Sequence, residues 1–208
     1  MLYTKLAPLL RDEGRPIDTA IVRMRAFGSC AFLMLTLILM IGPLARLDRR
    51  FLPVLYNRRH FGVITCVVAG AHLLQVLGWY HAFAPVDPWV SLLSSNIAYG
   101  SFTGFPFEAL GLFAFAILLV MAATSHDFWL ANLTAPVWKA LHMLVYVAYG
   151  LLVLHVAFGV LQDESSPVPV AILGFGFVGV VGLHLAAGFR ERAGDVEHDG
   201  ARADDGFV

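Results

Sequence analysis

Long blocks of apolar residues, rather than a short amphipathic period, dominate this chain. Five blocks are long enough to cross a hydrocarbon core of roughly 30 Å, which needs about 20 mostly apolar residues as a helix. They cover residues 26–44, 61–83, 106–125, 136–161 and 168–189. The pattern therefore predicts an all-α fold, an integral membrane bundle of about five transmembrane helices.

The composition is typical of a protein that is surrounded by lipid. The 208 residues are 59% hydrophobic and only 14% charged, and their mean hydropathy is +0.74, which is more apolar than a soluble domain. A net charge of -1 provides no basic footprint for nucleic acid, so we exclude a nucleic-acid partner and expect a lipid bilayer. The two cysteines form neither CxxC nor CxxCH, which excludes a metal knuckle and covalently attached haem.

The regions outside the blocks differ in character. Residues 1–25 form a polar N-terminal segment, residues 26–190 the transmembrane domain, and residues 191–208 a tail rich in Asp, Glu and Gly that we expect to be disordered. Residues 88–104 are interrupted by serine, asparagine and glycine, and we expect a surface or re-entrant loop there. No internal repeat is apparent.

The basic residues indicate the orientation. The loops after the second and fourth blocks carry no lysine or arginine, whereas the loop at residues 46–59 is rich in arginine. The positive-inside rule therefore predicts that this loop is cytoplasmic and that the N-terminus lies outside. We expect a multi-pass protein of the bacterial inner (cytoplasmic) membrane.

Histidines within the blocks are the candidates for chemistry, because ionisable side chains are costly in a bilayer. His72 lies roughly 15 to 18 Å beyond the basic start of its helix, and a tilt brings His155 to a similar depth. Two neutral imidazoles on opposite sides of a porphyrin favour electron transfer over oxygen binding. We predict haem b between His72 and His155; the alternative is that each histidine only hydrogen-bonds a neighbouring helix.

A second haem is an open alternative. His142 precedes His155 by 13 residues, about 20 Å along the axis, and either His60 or His184 is a candidate partner. Arg58 and Arg59 are candidates to grip haem propionates or a flavin phosphate, or else they set topology and meet anionic lipid. We expect His81 at the surface and His126 in a capping or loop position.

Three stretches resemble the ferric reductase-like transmembrane domain family: GPLAR at 42–46, which in the family ends a helix, RRHFG at 58–62 followed by His72, and WKALHMLVY at 138–146 followed by His155. Phe61 stands where the family usually has Leu. The resemblance covers roughly residues 28–161 and implies haem b held by His72 and His155, with His142 as a candidate ligand of a second site. Nothing after the fifth block resembles a flavin or nicotinamide domain, which implies that donor and acceptor are other proteins or quinone.

The sequence thus favours a b-type cytochrome subunit that relays electrons across the bilayer as the electron-transfer component of an oxidoreductase complex, with no bond-making residue of its own. The rival hypothesis is a structural membrane anchor of a larger respiratory or reductase complex. A proton or ion carrier is a weaker third hypothesis, because Glu108 is the one candidate for a buried carboxylate.

Overall fold

The computed structural model describes residues 18–99, 104–163 and 167–204, and these ranges are helical apart from short turns. The α-helices within them are α1 Thr19–Leu47, α2 Leu52–Val76, α3 Pro88–Ser94, α4 Phe107–Ala123, α5 Asp127–Asn132, α6 Ala135–Asp163 and α7 Pro167–Asp204. A 3₁₀ turn, Arg49–Phe51, joins α1 to α2, and a π-helical turn, Leu77–His81, extends α2.

Four segments are long and apolar enough to cross a membrane: Thr19–Leu47, Arg49–His81, Ala135–Gly159 and Pro167–Ala193. Helix α4 is equally apolar but has 17 residues, about 26 Å of helix. It is shorter because Pro106 precedes it and the polar pair Thr124 and Ser125 follows it. The predicted all-α membrane bundle is confirmed, with four long helices and one shorter helix in place of the five predicted spans.

The outer surface of the bundle is apolar. Val67, Leu74 and Phe175 are 67%, 70% and 81% exposed, and many other large apolar side chains share this surface. A soluble protein rarely exposes apolar area on this scale, whereas a bilayer accommodates it. The chain is a multi-pass integral membrane protein.

The four long helices and α4 pack around a common core. Helix α1 packs against α2 and α7, α4 packs against α2 and α6, and α6 packs against α7. The core takes side chains from each of these helices: Phe32, Leu35, Leu39, Cys66, Leu118, Ala148, Tyr149, Leu173 and Val180. Helices α2 and α6 are not among the extensively packed pairs of the described region.

Several boundaries differ from the sequence prediction. Helix α1 begins at Thr19 within the predicted polar segment, whose residues 1–17 lie outside the described ranges, and it continues past Pro43 to Leu47. The predicted loop contains α3, for which Asp87 is the N-cap. Helix α7 runs to Asp204, within the predicted tail of residues 191–208, whose disorder stays a prediction. An established helix propagates into a polar segment at little cost, because each added residue gains a backbone hydrogen bond.

The two ends of the bundle differ in charge. We call the end that carries the α1–α2 turn the basic end, because this turn and helices α1, α2, α6 and α7 place basic residues there: Arg46, Arg49, Arg50, Arg58, Arg59, Lys139, Arg190 and Arg192. The Arg190 side chain donates to the Leu47 carbonyl, and Arg46 pairs with Glu191 at 3.3 Å. The opposite end contains the starts of α1 and α4 and the ends of α2 and α6.

Candidate functional site

His72, on α2, is held by the backbone of α1. Its Nδ1 atom lies 2.9 Å from the carbonyl oxygen of Met24. Because a carbonyl can only accept, Nδ1 carries the proton and Nε2 keeps its lone pair. Within the described residues Nε2 has no hydrogen-bond partner, so it is the nitrogen that can bind a metal.

His155, on α6, is held in the same way by α4. Its Nδ1 atom donates to the carbonyl oxygen of Phe107 at 2.7 Å. In both hydrogen bonds the imidazole and the carbonyl are 48 residues apart in the chain. A backbone carbonyl that fixes one ring nitrogen is the usual second partner of a metal-binding histidine, because it sets the tautomer and the ring orientation.

A glycine lies beneath each of these rings. A Cβ atom on Gly28 would lie 3.0 Å from Cε1 of His72, and a Cβ on Gly111 would lie 2.7 Å from Cε1 and Nδ1 of His155. Real Cβ atoms tolerate the first distance poorly and the second hardly at all. The close approach of each imidazole to a helix backbone therefore depends on the absence of a side chain.

The two imidazoles lie at the same end of the bundle. Met24 is in the second turn of α1 and Phe107 is the first residue of α4. Both rings therefore lie towards the end of the bundle that is opposite to the basic end. The two histidines come from helices that are not extensively packed against each other in the described region, and each has an unbonded Nε2 that could bind a metal.

The donor set fits a porphyrin better than a bare metal ion. The described residues contain no group of three or more His, Cys, Asp or Glu side chains that could hold a metal ion. A haem iron needs only two protein ligands, since the porphyrin supplies the other four. His72 and His155 provide the right number and type.

His142 lies apart from this pair, towards the basic end. Its ring stacks on Trp138 at 3.9 Å between centroids, and its Nδ1 donates to the Trp138 carbonyl at 3.0 Å. Nε2 of His142 and Nε1 of Trp138 are buried without a hydrogen-bond partner among the described residues. A lone-pair acceptor and an N–H donor therefore stand unsatisfied close to each other.

Neither predicted partner of His142 has a free, buried ring nitrogen. His60 is exposed near the start of α2. His184 donates through Nδ1 to Val180 at 2.8 Å, and its Nε2 accepts the Tyr146 hydroxyl at 3.1 Å. A second haem at His142 with His60 or His184, which the sequence left open, therefore stays a prediction.

Arg58 and Arg59 contact neighbouring parts of the protein at the basic end. Arg59 binds Asp127 of α5 at 2.6 Å. The guanidinium of Arg58 lies beside Gly42, where a Cβ would be 3.4 Å from its Nη1. Both side chains therefore connect α2 to neighbouring elements at this end of the bundle.

The prediction for His81 was wrong and that for His126 is confirmed. His81 is only 5% exposed, and its Nδ1 lies 2.9 Å from the Ser91 hydroxyl of α3. The reason is that α3 folds back over the π-helical turn, which no local pattern around His81 indicated. His126 caps α5, where its Nδ1 accepts from the Phe128 backbone N–H at 3.2 Å.

A polar cluster at the opposite end was also not anticipated. Glu108 accepts from the side chains of Ser95 at 3.1 Å and Asn96 at 2.5 Å. Its other carboxylate oxygen is buried without a partner among the described residues. The signal in the sequence was the placement of three polar residues around an apolar helix start.

The structure also reveals an internal repeat that the sequence analysis did not find. Residues 26–35 of α1 (AFGSCAFLML) and residues 109–118 of α4 (ALGLFAFAIL) share the pattern Ala-x-Gly-x-x-Ala-Phe-x-x-Leu. The shared glycines are Gly28 and Gly111, which contact the two histidines. The signal in the sequence is this local pattern together with the spacing from each glycine to its histidine, which is 44 residues in both copies.

Comparison with known proteins agrees with this architecture. The family model described as ferric reductase like transmembrane component matches residues 27–153. The chain is 30% identical over 156 residues, 74% of its length and 67% of the relative's, to the protein-methionine-sulfoxide reductase heme-binding subunit MsrQ of Caulobacter vibrioides. No solved structure matches the chain. Because the family model covers more than half of the chain, including both glycines and His72, the protein belongs to the ferric reductase like transmembrane component family.

Proposed function

We propose that this protein is a membrane b-type cytochrome subunit that relays electrons across the bacterial inner membrane to a separate redox partner. The haem b would be held by His72 and His155. The observation that carries the proposal is that both histidines present an unbonded Nε2 at the same end of the bundle, with Nδ1 fixed on a backbone carbonyl. The name of the Caulobacter relative, a haem-binding subunit, supports the same cofactor.

The residues around the site suit electron transfer. A haem with two imidazole ligands supplies a one-electron Fe(III)/Fe(II) couple with no open coordination position. The hydrogen bonds to Met24 and Phe107 orient the rings and raise their basicity as ligands. The apolar helices around the pair exclude water, so the protein contributes ligation, burial and orientation.

Haem content and spectra test the ligands directly. Purified wild type should show a reduced-minus-oxidised spectrum typical of bis-imidazole haem b, and His72→Ala and His155→Ala should each lose that signal. His184→Ala is the matched control, because its ring is engaged by Tyr146, and it should keep the signal. Wild type without a haem signal would contradict the proposal and favour the structural anchor. If His142→Ala lost all haem while His155→Ala retained it, His72 and His155 would be the wrong ligand pair.

We further propose that electrons enter from a quinol at His142 and Trp138. A quinol hydroxyl can donate to the lone pair on Nε2 of His142 and accept from the Trp138 indole N–H, which satisfies both unpartnered atoms. Oxidation of the quinol to the quinone would release two electrons and two protons. The haem would take the electrons one at a time and pass each to the redox partner, Nε2 of His142 would accept the first proton, and the second would go to water at the basic end. A second haem or a flavin at His142 is the rival proposal.

Reduction kinetics separate these proposals. Trp138→Phe and His142→Ala should keep the haem content of wild type and slow reduction by a short-chain benzoquinol about tenfold each, as the loss of a hydrogen bond of roughly 1.4 kcal/mol implies. Reduction by dithionite should be unchanged. A fall from two haems to one in His142→Ala, or unchanged quinol kinetics, would contradict the quinol site.

The acceptor is proposed to lie on the outer side of the membrane. If the basic end is cytoplasmic, His72 and His155 lie towards the outer face, close to α3 and the Glu108 cluster. A reductase subunit that docks there would be the counterpart of the reductase named for the relative. Arg58 and Arg59 would then act at the cytoplasmic side, where they set topology and meet anionic lipid.

A further inference from the structure

The chain contains two equivalent half-sites. Each consists of a helix with the Ala-x-Gly-x-x-Ala-Phe-x-x-Leu pattern and a second helix that carries a histidine. In each, the histidine ring contacts the pattern's glycine and hydrogen-bonds the carbonyl four residues before that glycine. The first half-site is α1 with α2, and the second is α4 with α6.

Burial follows the same register in both halves. Ala31 and Ala114, which follow the two glycines by three residues, are 6% and 1% exposed. Thr65 and Ala148, which precede the two histidines by seven residues, are both 0% exposed. The two helix pairs therefore use equivalent positions for their interface, although most side chains differ.

We propose that Gly28 and Gly111 are positioning residues for the two haem ligands. Each glycine lets the imidazole approach the helix closely enough for Nδ1 to reach the carbonyl, so the hydrogen bond is made by Nδ1 and Nε2 stays unbonded. The inference rests on the proposed haem ligation. It adds that each ligand is oriented by a glycine contact and a hydrogen bond to a backbone carbonyl, and that this arrangement occurs once in each half of the repeat.

The physical reason for glycine is steric. The hydrogen bonds are 2.9 and 2.7 Å long, so the rings cannot move away from the helix without losing them. A Cβ on Gly111 would approach Nδ1 of His155 to 2.7 Å and would compete with the hydrogen bond at the donor atom itself. On Gly28 the corresponding distance to Nδ1 of His72 is 3.1 Å, so the same change there is milder.

Substitution by alanine tests this role in the full-length protein. In Gly28→Ala and Gly111→Ala the weakened hydrogen bond makes the imidazole a poorer donor to iron, so the midpoint potential should rise and the low-spin EPR signal should shift. Haem affinity should fall about 10- to 100-fold. The changes in midpoint potential, EPR signal and haem affinity should all be larger for Gly111→Ala than for Gly28→Ala.

Gly182→Ala on α7 is the matched control, because a Cβ there would meet nothing within 4 Å. It gains the same helix propensity and should keep the wild-type potential and EPR signal. If Gly111→Ala fails to fold, the milder Gly28→Ala still provides both readouts. Wild-type potential and EPR signal in a haem-loaded Gly28→Ala would overturn the positioning role alone, whereas a wild type without bis-imidazole haem would overturn the proposed function.

Discussion

Phe107 accepts the Nδ1–H of His155 at 2.7 Å across the interface of α4 and α6. Phe107 is also the first residue of α4, so the ring is tied to the point at which that helix begins. Its own aromatic ring lies 5.6 Å from the imidazole and would clash with a Cβ on Gly159 of α6. The position of this proposed ligand is thus decided by how two helices meet rather than by its own helix alone.

Replacing one imidazole by a thioether should change the potential and keep the haem. In His72→Met or His155→Met the iron would have one His and one Met ligand, a pair that raises the reduction potential in b- and c-type cytochromes. Redox titration should therefore give a higher midpoint potential for either variant than for wild type. His184→Met should give the wild-type value, and an unchanged potential in a haem-loaded His155→Met would exclude His155 as a ligand.

Tyr146 and His184 should behave as a structural pair. Tyr146→Phe removes the 3.1 Å hydrogen bond to Nε2 of His184 between α6 and α7. We expect a loss of about 1 kcal/mol in the free energy of unfolding and no change in haem content. The measurements are thermal unfolding in detergent and the haem-to-protein ratio. A fall in that ratio would show that His184 takes part in cofactor binding.

The buried hydrogen bond between Thr36 and Tyr149 should show coupled energetics. Thr36 donates to the Phe32 carbonyl at 2.8 Å, so its oxygen accepts the Tyr149 hydroxyl at 3.2 Å. Tyr149→Phe should cost about 1 kcal/mol, whereas Thr36→Val should cost roughly 1 to 3 kcal/mol because it leaves the tyrosine hydroxyl unpaired. In a double-mutant cycle the combined cost should be less than the sum; additive costs would mean that the two groups do not interact.

The ion pair of Arg59 and Asp127 should contribute little to stability. The Asp127 side chain is 78% exposed, and exposed pairs contribute about 0 to 1 kcal/mol. Arg59→Gln should therefore lower the unfolding free energy by less than about 1 kcal/mol, with a smaller effect at high salt. The haem content should equal that of wild type. Haem loss in this variant would instead support a direct contact of Arg59 with the cofactor.

Much of the fold could be predicted because lipid constrains it strongly. Every backbone group in a hydrocarbon core must be satisfied within the segment, so a long apolar block can only be a helix. That argument found the four long helices and α4, and the rise per residue predicted a similar depth for His72 and His155. It failed at residues 88–94, where a short, partly apolar segment forms a helix because Asp87 caps it and Pro88 begins it.

The sequence predicted how deep each histidine lies along its helix, but not which neighbour its side chain meets. The depth of a residue along a helix follows from its number, since each residue rises by about 1.5 Å. The direction in which a side chain points relative to a distant helix does not. His60, His81 and His184 were therefore assigned by local context, and their exposed, buried and hydrogen-bonded states emerged only from packing.

The sequence by itself determined that this chain spans a membrane and that histidines lie inside its spans, because both follow from the cost of placing polar groups in lipid. Only the tertiary structure decided that Met24 and Phe107 hold the rings and that Gly28 and Gly111 make room for them. Those contacts join residues far apart in the chain. They depend on the packing of α1 on α2 and of α4 on α6, which no property of a single helix specifies.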